Sequence, residues 1–425
     1  TLFPYTTLFR SRSPDFIRSG DRGNDYGDWL SIAADTDKEL IGTAYFAYST
    51  RLVAKAAAAL GKTSDAAAYE ALFQSIKSAF VAKYVKPEGH IKGDTQCAYL
   101  MALRFDLLPG SLRAPAADLL EADIIAKDYH LSTGFVGVSY LLPELTKAGK
   151  IDTAYRLLLQ DTFPSWLFSV KMGATTIWER WDGWTPDKGF QNVGMNSFNH
   201  YSLGSCGEWL YGTVAGIDAD PASPAFKKII IRPVIGGKLS EAAGQLRTVH
   251  GLITSAWSSV NGGFTLTTTI PVNTTATVHV PAKDVAEVLE SGKPVAGAAG
   301  VTFLKMENGA AVFAVESGRY QFTSGGGAVS GLDTIYRNPA EAVKVSLSTL
   351  LANDGKGCTF RSVSPMSIHG ASVVVRDGQV IYQPQAGNKA EDIFTYTIRN
   401  SRGGVATRTV NVALNAADAS AQARE

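Results

Sequence analysis

The residues with the clearest chemical use are Glu179 and Asp182, in the stretch ATTIWERWDGW that runs from Ala174 to Trp184. Three of the seven tryptophans of the 425-residue chain fall within these eleven residues. A carboxylate among indole rings is typical of a site where a sugar ring stacks on aromatic side chains while an acid or base acts on it. Glycoside hydrolysis normally needs two carboxylates. Asp182 is as readily a turn residue before Gly183, so the partner of Glu179 has to be sought elsewhere.

Two interpretations of Glu179 compete. In one, Glu179 is a surface residue that pairs with Arg180, as most glutamates are exposed. In the other, the rings of Trp178, Trp181 and Trp184 surround it. Such rings would desolvate the carboxylate and raise its pKa toward the range useful for acid–base chemistry.

Two further positions combine a polar group with a nearby aromatic side chain. His200 follows Glu179 by 21 residues and stands at the start of a predicted helix, where a lone histidine is usually structural. Asp28 and Trp29 precede a long predicted helix. A polar group beside a ring on such a loop is typical of a sugar contact, and a packed tryptophan in an N-terminal loop is the open alternative.

Composition excludes several classes of protein. A net charge of +1 leaves no basic excess that would indicate a nucleic-acid partner, and no apolar run approaches the ~20 residues that span a bilayer. Three widely spaced cysteines form neither a metal site nor a disulfide framework. The sequence also has no Gly-rich phosphate loop, HExxH zinc pattern or GxSxG elbow, so we predict no cofactor.

The elements that must position these residues are helical from about residue 35 to residue 217. Apolar residues recur there at helical spacing, and we expect helical hairpins packed around an axis with their chemistry on the loops. Thr36 and Glu39 have the spacing of a capping box, and Ser64 is expected to cap the second long helix. Further helices are predicted over 95–107, 111–126, 134–148, 153–159 and 198–215.

After Pro221 the apolar period changes to two. Short β-branched segments bounded by Gly, Pro and Asn predict an antiparallel β-sandwich. A Gly-rich linker near Ser324 precedes a third unit of alternating strands, in which Asp377-Gly378 predicts a hairpin turn.

Several of these stretches together resemble a known family. DYGDWL, DTDKELIGTAYFAYSTRLVAKAAAALGK, HLSTGFVGVSYLLPEL, FPSWLFSVKMGATTIWERWDGW and SFNHYSLGSCGEWLYGTVAGI resemble the later part of the bacterial α-L-rhamnosidases with an (α/α)6 barrel. FKKIIIRPVIGGKLSEAAGQLRTVHGLITSAW resembles the β-sandwich that follows that barrel, so the resemblance covers about Ser13 to Val315. The last unit resembles the cadherin-like or immunoglobulin-like modules of bacterial extracellular enzymes.

The resemblance implies a function and a set of site residues. It implies inverting hydrolysis of terminal α-L-rhamnosides, with Glu179 as the general base that activates water. Carried over as sugar contacts are six residues: Asp28, Trp29, Trp178, Trp181, Trp184 and His200. It also implies an extracellular or periplasmic protein that acts on rhamnose-containing glycosides, oligosaccharides or polysaccharides.

The resemblance also implies a domain order in which part of the family's barrel is absent. Residues 1–11 resemble a translated sequencing adapter, and the carboxylate-rich motif with the family's general acid is not found. We therefore expect an incomplete (α/α)6 barrel lacking its N-terminal helices, inactive alone. The expected segments are barrel 12–220, β-sandwich 221–323, linker 324–340, Ig-like or cadherin-like domain 341–415 and a disordered tail 416–425.

Two alternatives and one ion stay open. The chain could be a carbohydrate-binding protein that cleaves nothing, or a different (α/α)6 glycosidase or lyase. A lyase would need a Tyr or His base and basic residues facing uronates, and only Arg180 is near Glu179. Asp354, Asp377 and Asp392 in the last domain could bind Ca²⁺, although turn chemistry explains the first two without a metal.

Overall fold

The computed structural model describes residues 13, 15–18, 25–237, 239–260, 263–325, 333–351, 358–389, 392–399 and 405–414. The chain divides into two compact units. One contains Thr1–Trp209 with Gly236–Lys238, and the other contains Leu210–Ile235 with Leu239–Glu425.

The first unit is built from helices that pack as consecutive pairs: α1 on α2, α3 on α4 and α5 on α6. They are α1 (Lys38–Ala59), α2 (Thr63–Tyr84), α3 (Gln96–Arg104), α4 (Gly110–Ala126), α5 (Val138–Lys147), α6 (Ile151–Leu159), α7 (Trp166–Lys171) and α8 (Cys206–Trp209). The short helix α7 was not predicted, and α5 begins at Val138 because residues 134–137 form a turn. In the described part of the chain, none of the helices has the length and apolar character needed to cross a bilayer.

The starts of the two long helices differ from the prediction. Asp37 caps α1, because its carboxylate accepts the backbone N–H groups of Glu39 and Leu40. Thr36 instead shares a hydrogen bond of 2.7 Å with Thr95, so the predicted capping box is wrong. The predicted Ser64 cap is also wrong, since α2 begins at Thr63 and Lys62 precedes it without a side-chain cap.

Helix α3 lies at the centre of this unit, and nearly all its residues are buried. The side chain of Gln96 is fully buried, and its amide group forms three hydrogen bonds. Its amide nitrogen donates to Asp123 and to the His130 carbonyl, and its amide oxygen accepts the N–H of Ser132. Gln96 therefore fixes the start of the 132–137 segment on the core.

The loop 28–32 is locked to this same 132–137 segment. Asp28 is 5 % exposed, and its carboxylate accepts the backbone N–H groups of Gly134, Val136 and Gly137 at 2.8, 2.8 and 3.0 Å. Burial raises the pKa of Asp28, and these hydrogen bonds oppose the rise.

Backbone hydrogen bonds also join loop 28–32 to the 132–137 segment. The N–H of Phe135 donates to the Trp29 carbonyl at 2.9 Å, and the N–H of Ile32 donates to the Ser132 carbonyl at 3.1 Å. A Cβ at Gly134 would lie 2.1 Å from the Trp29 carbonyl oxygen, so only glycine fits there. The two loops therefore behave as one packed element.

The first unit also holds a two-stranded hairpin, β1 (Trp184–Thr185) and β2 (Gly189–Phe190), and the second unit contains a two-sheet sandwich. Its strands are β3 (Ile217–Ala219), β4 (Lys228–Ile231), β5 (Glu241–Thr248), β6 (Gly251–Val260), β7 (Gly263–Ile270), β8 (Thr275–Pro281), β9 (Leu289–Glu290), β10 (Lys293–Pro294), β11 (Val301–Glu307), β12 (Ala310–Val315) and β13 (Gly318–Ser324). The sheets have the orders β10-β9-β13-β7-β6-β5 and β11-β12-β8-β4-β3. All pairings are antiparallel except β4 with β8, so the predicted sandwich includes one parallel pair. Trp257 and Phe313 belong to its buried core.

The same unit ends in a smaller pair of sheets. Their elements are β14 (Asp333–Arg337), β15 (Val343–Ser346), α9 (Leu347–Leu350), β16 (Thr359–Val363), β17 (Ser372–Arg376), β18 (Gln379–Gln383), β19 (Asp392–Arg399) and β20 (Val405–Leu414). The sheet orders are β14-β20-β19-β16 and β15-β18-β17, around a separate core. The predicted hairpin turn is confirmed: Asp377 and Gly378 both have positive φ between β17 and β18, as a type I′ turn requires.

A buried carboxylate ties the strands of this smaller domain. Asp392 is 2 % exposed and accepts hydrogen bonds of 2.6 Å from Ser367 and Tyr382, and it also accepts the N–H groups of His369 and Ile393. Burial alone would raise the pKa of Asp392, but the bonds from Ser367, Tyr382 and the two backbone N–H groups together outweigh it and hold the pKa below its usual value.

We expect Gly134→Ala to destabilise the first unit by about 1–3 kcal/mol, because the added methyl group meets backbone atoms that cannot rotate away. Gly110→Ala is the matched control, since at the start of α4 nothing lies within 4 Å of the place that the added methyl group would take. Urea titrations followed by tryptophan fluorescence would compare them. Equal stability of the two variants would contradict the packing of Gly134 against Trp29.

We expect Asp392→Asn to destabilise the smaller β domain by about 2 kcal/mol at pH 7, since hydrogen bonds to a charged group are lost. The folded-state pKa is lowered, so the charge contributes fully above the unfolded pKa of about 4. That contribution falls as pH drops below about 4 and disappears as pH falls through the folded pKa, so the stability difference between wild type and variant should shrink on acidification.

The protein is equilibrated in urea at each pH and then labelled with deuterium at one fixed pH. Deuterium uptake by the backbone amides of β18 and β19 reports the unfolded fraction of the smaller β domain. Asp377→Asn is the control, because Asp377 is exposed at the hairpin tip. A stability difference that stays constant from pH 7 to pH 3 would show that the Asp392 charge is not the cause.

Candidate active site

The site is organised by two antiparallel segments joined through their backbones. The N–H of Glu179 donates to the Ser197 carbonyl at 2.8 Å, and the N–H of His200 donates to the Ile177 carbonyl at 2.8 Å. The Thr176 hydroxyl also bonds the Phe198 carbonyl. Glu179 and His200, 21 residues apart in sequence, are thereby brought together.

The carboxylate of Glu179 is half-buried and held on one side. Its Oε2 accepts the N–H of Ser197 at 2.7 Å, while Oε1 has no hydrogen-bond partner among the described residues. The ion pair considered for Glu179 does not form. Arg180 instead binds Asp182 through two hydrogen bonds of 2.9 and 3.2 Å. An oriented carboxylate with one free oxygen can accept a proton from water.

The imidazole of His200 is fixed in both position and orientation. Its ring stacks on the rings of both Phe135 and Tyr201, with centroids 5.0 and 5.1 Å away. Nδ1 accepts the N–H of Ser202 at 3.3 Å, which in a neutral ring leaves the proton on Nε2. Nε2–H is then available as a hydrogen-bond donor.

The tryptophans differ in how much ring surface they offer. Trp29 is 36 % exposed and meets Tyr26 edge-on. Trp184 is half-buried in β1 (Trp184–Thr185), which pairs with β2 (Gly189–Phe190). These two rings have faces that a ligand can reach.

The other two tryptophans of the WERWDGW stretch are buried. Trp178 is 7 % exposed and meets Phe198 edge-on at 5.1 Å. Trp181 is 2 % exposed, and its indole N–H donates to the Thr133 carbonyl at 2.9 Å. Trp181 therefore ties the loop that carries Glu179 to the 132–137 segment, and it offers almost no surface to a sugar.

The buried side chain of Asp28 is already hydrogen-bonded to the 134–137 turn. Three backbone N–H groups bind its two oxygens, and the nearby Cys97 thiol, which is also buried, acts to lower the pKa of Asp28. A sugar hydroxyl would have to compete with these bonds. The predicted contact of Asp28 with a ligand stays a prediction.

Sequence reasoning missed two residues that shape the site. Phe135 stacks on His200, and its only sequence signal was an aromatic side chain in the Gly-rich stretch STGFVG. Ser197 orients Glu179 through its backbone N–H, a group that every residue except proline has, so no side-chain pattern marks it.

The described residues contain no group of three or more His, Cys, Asp or Glu side chains placed to hold a metal ion. For the predicted Ca²⁺ site, Asp354 lies outside the described residues. Asp377 is at the hairpin tip, and Asp392 is engaged by Ser367 and Tyr382. The calcium site stays a prediction.

Comparison with protein families identifies three matching regions. Residues 3–214 match the bacterial alpha-L-rhamnosidase six-hairpin glycosidase domain, and residues 216–294 match the bacterial alpha-L-rhamnosidase C-terminal domain. Residues 328–413 match a bacterial Ig domain. The first match includes residues 3–11, which resemble a translated sequencing adapter and lie outside the described residues.

Individual relatives agree with these matches. An alpha-L-rhamnosidase of Streptomyces avermitilis is 48 % identical over 298 residues, which are 70 % of this chain and 28 % of that protein. One of Formosa agariphila is 37 % identical over 322 residues, covering 74 % of this chain and 34 % of that protein. The crystal structure of the Streptomyces avermitilis enzyme complexed with L-rhamnose superposes with a TM-score of 0.69 at 45 % identity, over 75 % of this chain and 30 % of that one.

This chain thus spans about a third or less of the length of these relatives. Within that span, the helical hairpins and the sandwich follow each other in the order of the two rhamnosidase domains, and an Ig-like domain comes after them. The chain therefore belongs to the bacterial α-L-rhamnosidase family.

Proposed function

We propose that this chain carries the base-bearing part of the active site of an inverting α-L-rhamnosidase, a glycoside hydrolase that releases terminal α-L-rhamnose. The single observation that supports this most is the state of Glu179. One of its carboxylate oxygens is fixed by the Ser197 N–H and the other is free, beside a segment that carries His200.

In the proposed mechanism, Glu179 Oε1 takes a proton from a water molecule. The water oxygen attacks the anomeric carbon on the face opposite the leaving group, so the configuration inverts. The Ser197 N–H holds the carboxylate in the orientation this transfer needs. A general acid about 6.5–9.5 Å away would protonate the leaving oxygen in such an enzyme, and we assign that role to none of the described residues.

The proposed sugar contacts follow from what each side chain exposes. His200 Nε2–H would donate to a rhamnose hydroxyl, and the exposed face of Trp29 would cover the apolar face of the sugar with its methyl group. Trp184 would contribute at the rim. Trp178 has little accessible ring and Trp181 almost none, so their role here is to pack the loop that holds Glu179.

We propose rhamnose-containing glycosides or polysaccharides as substrates and an extracellular or periplasmic location. The substrate proposal rests on the family match, and the location rests on the bacterial Ig domain together with that family.

The base can be tested without the acid by using α-L-rhamnosyl fluoride, because fluoride leaves without needing a proton. We expect this chain to hydrolyse it faster than the uncatalysed rate and to release β-L-rhamnose first, as seen by proton NMR. Glu179→Gln keeps the shape of the side chain but removes the base, so the rate should fall about 10²–10⁴-fold.

Glu208→Gln is the matched control, since Glu208 is an exposed glutamate on α8. It should keep the full rate. If Glu179→Gln retains a tenth of the activity on the fluoride, Glu179 is not the base. Rhamnose binding by the chain without any fluoride hydrolysis would favour the non-catalytic binding protein.

We expect negligible hydrolysis of phenyl α-L-rhamnoside by the chain alone, because the phenolate leaving group gains from protonation and we assign no acid. The rate should lie about 10²–10⁴-fold below that on the fluoride. Release of phenol would be followed by absorbance. Comparable rates on the two substrates would show that this chain supplies its own general acid.

A further inference from the structure

We propose that Asp28 is a positioning residue, which holds the 134–137 turn so that Phe135 packs on His200 and orients its imidazole. This assigns Asp28 an indirect role in place of the predicted sugar contact. Its consequence for rhamnose binding rests on the proposed function, whereas its effect on His200 does not.

The first step of the argument is the capacity of the carboxylate. Its two oxygens offer about four acceptor positions. The N–H groups of Gly134, Val136 and Gly137 occupy three of them. Since Asp28 is only 5 % exposed, a ligand in solution has almost no access to it.

The second step is the path from Asp28 to the site. Its bonds to Gly134 and Val136 fix the residues on either side of Phe135, whose own N–H is held by the Trp29 carbonyl at 2.9 Å. The backbone of Phe135 is therefore immobilised from three points. The ring it carries stacks on His200 with centroids 5.0 Å apart and planes 26° apart.

The third step is why a carboxyl group, rather than an amide, is required. All three backbone groups that face Asp28 are donors, so acceptors are needed on both oxygens. In Asp28→Asn, the amide NH₂ would oppose at least one of these N–H groups. A donor facing a donor in a buried position loses a hydrogen bond and leaves a polar group unsatisfied.

The experiment compares Asp28→Asn with wild type in the full 425-residue chain, which contains six histidines. With histidine-selective ¹³C,¹⁵N labelling, we expect the ring signals of His200 to shift and the other five to stay. In the same samples, L-rhamnose binding measured by titration should weaken about 5–10-fold.

Asp37→Asn is the matched control. Asp37 also accepts two backbone N–H groups, those of Glu39 and Leu40, but it caps α1, and its side chain bonds none of the described residues 132–137. It should leave both the His200 signals and rhamnose binding unchanged. If Asp37→Asn shifts the His200 signals as Asp28→Asn does, the effect is general destabilisation and the proposal is wrong.

Phe135→Leu tests the path even if Asp28→Asn fails to fold. It keeps an apolar side chain but removes the stacked ring, so the His200 signals should move and rhamnose binding should weaken by the same factor. The double variant should bind no more weakly than Phe135→Leu alone, because both changes break one path. Unchanged His200 signals in Phe135→Leu would overturn the proposal.

The outcomes also separate this inference from the proposed function. If Asp28→Asn weakens rhamnose binding without moving the His200 signals, Asp28 contacts the sugar directly and the positioning role is wrong. If wild type binds no rhamnose, the proposed function fails. The shift of the His200 signals then still decides whether Asp28 positions the ring.

Discussion

The backbone pairing of residues 177–179 with residues 197–200 is the constraint on which the site depends. It sets Glu179 and His200 relative to each other through main-chain hydrogen bonds rather than through side chains. The intervening loop contains the β1–β2 hairpin, and Asn196 closes its base by donating to the Gly183 carbonyl. Because hydrogen bonds hold both ends of this loop, its tip can vary without moving the carboxylate of Glu179.

A second set of contacts ties this pair of segments to the helical core. The indole N–H of Trp181 reaches the Thr133 carbonyl, and the ring of Phe135 reaches His200. Both contacts involve the 132–137 segment, whose backbone is hydrogen-bonded to the side chains of Gln96 and Asp28. The precision of the site therefore comes from buried hydrogen bonds that converge on the 132–137 segment, as rigid functional sites require.

The sequence predicted what local periodicity controls, and it failed where distant contacts decide. The helical and β regions followed from periods of 3.6 and two, and Asp377-Gly378 followed from turn chemistry. Thr36 and Asp37 are both good caps, and Asp37 caps α1 while Thr36 bonds Thr95, 59 positions away. Likewise, an eleven-residue loop has no period from which to tell the buried Trp181 from an exposed ring.

The number of donors around each carboxylate distinguishes the roles of three acidic residues. Asp28 and Asp392 are buried and surrounded by hydrogen-bond donors, so each contributes to structure whichever way its pKa moves. A general base must exchange a proton with water, and this needs an unoccupied acceptor position that water can reach. Glu179, half-buried with one oxygen fixed and one free, meets that condition. Burial of a carboxylate near a site is therefore weak support for catalysis. An oriented carboxylate with one oxygen hydrogen-bonded and the other open to water is stronger support.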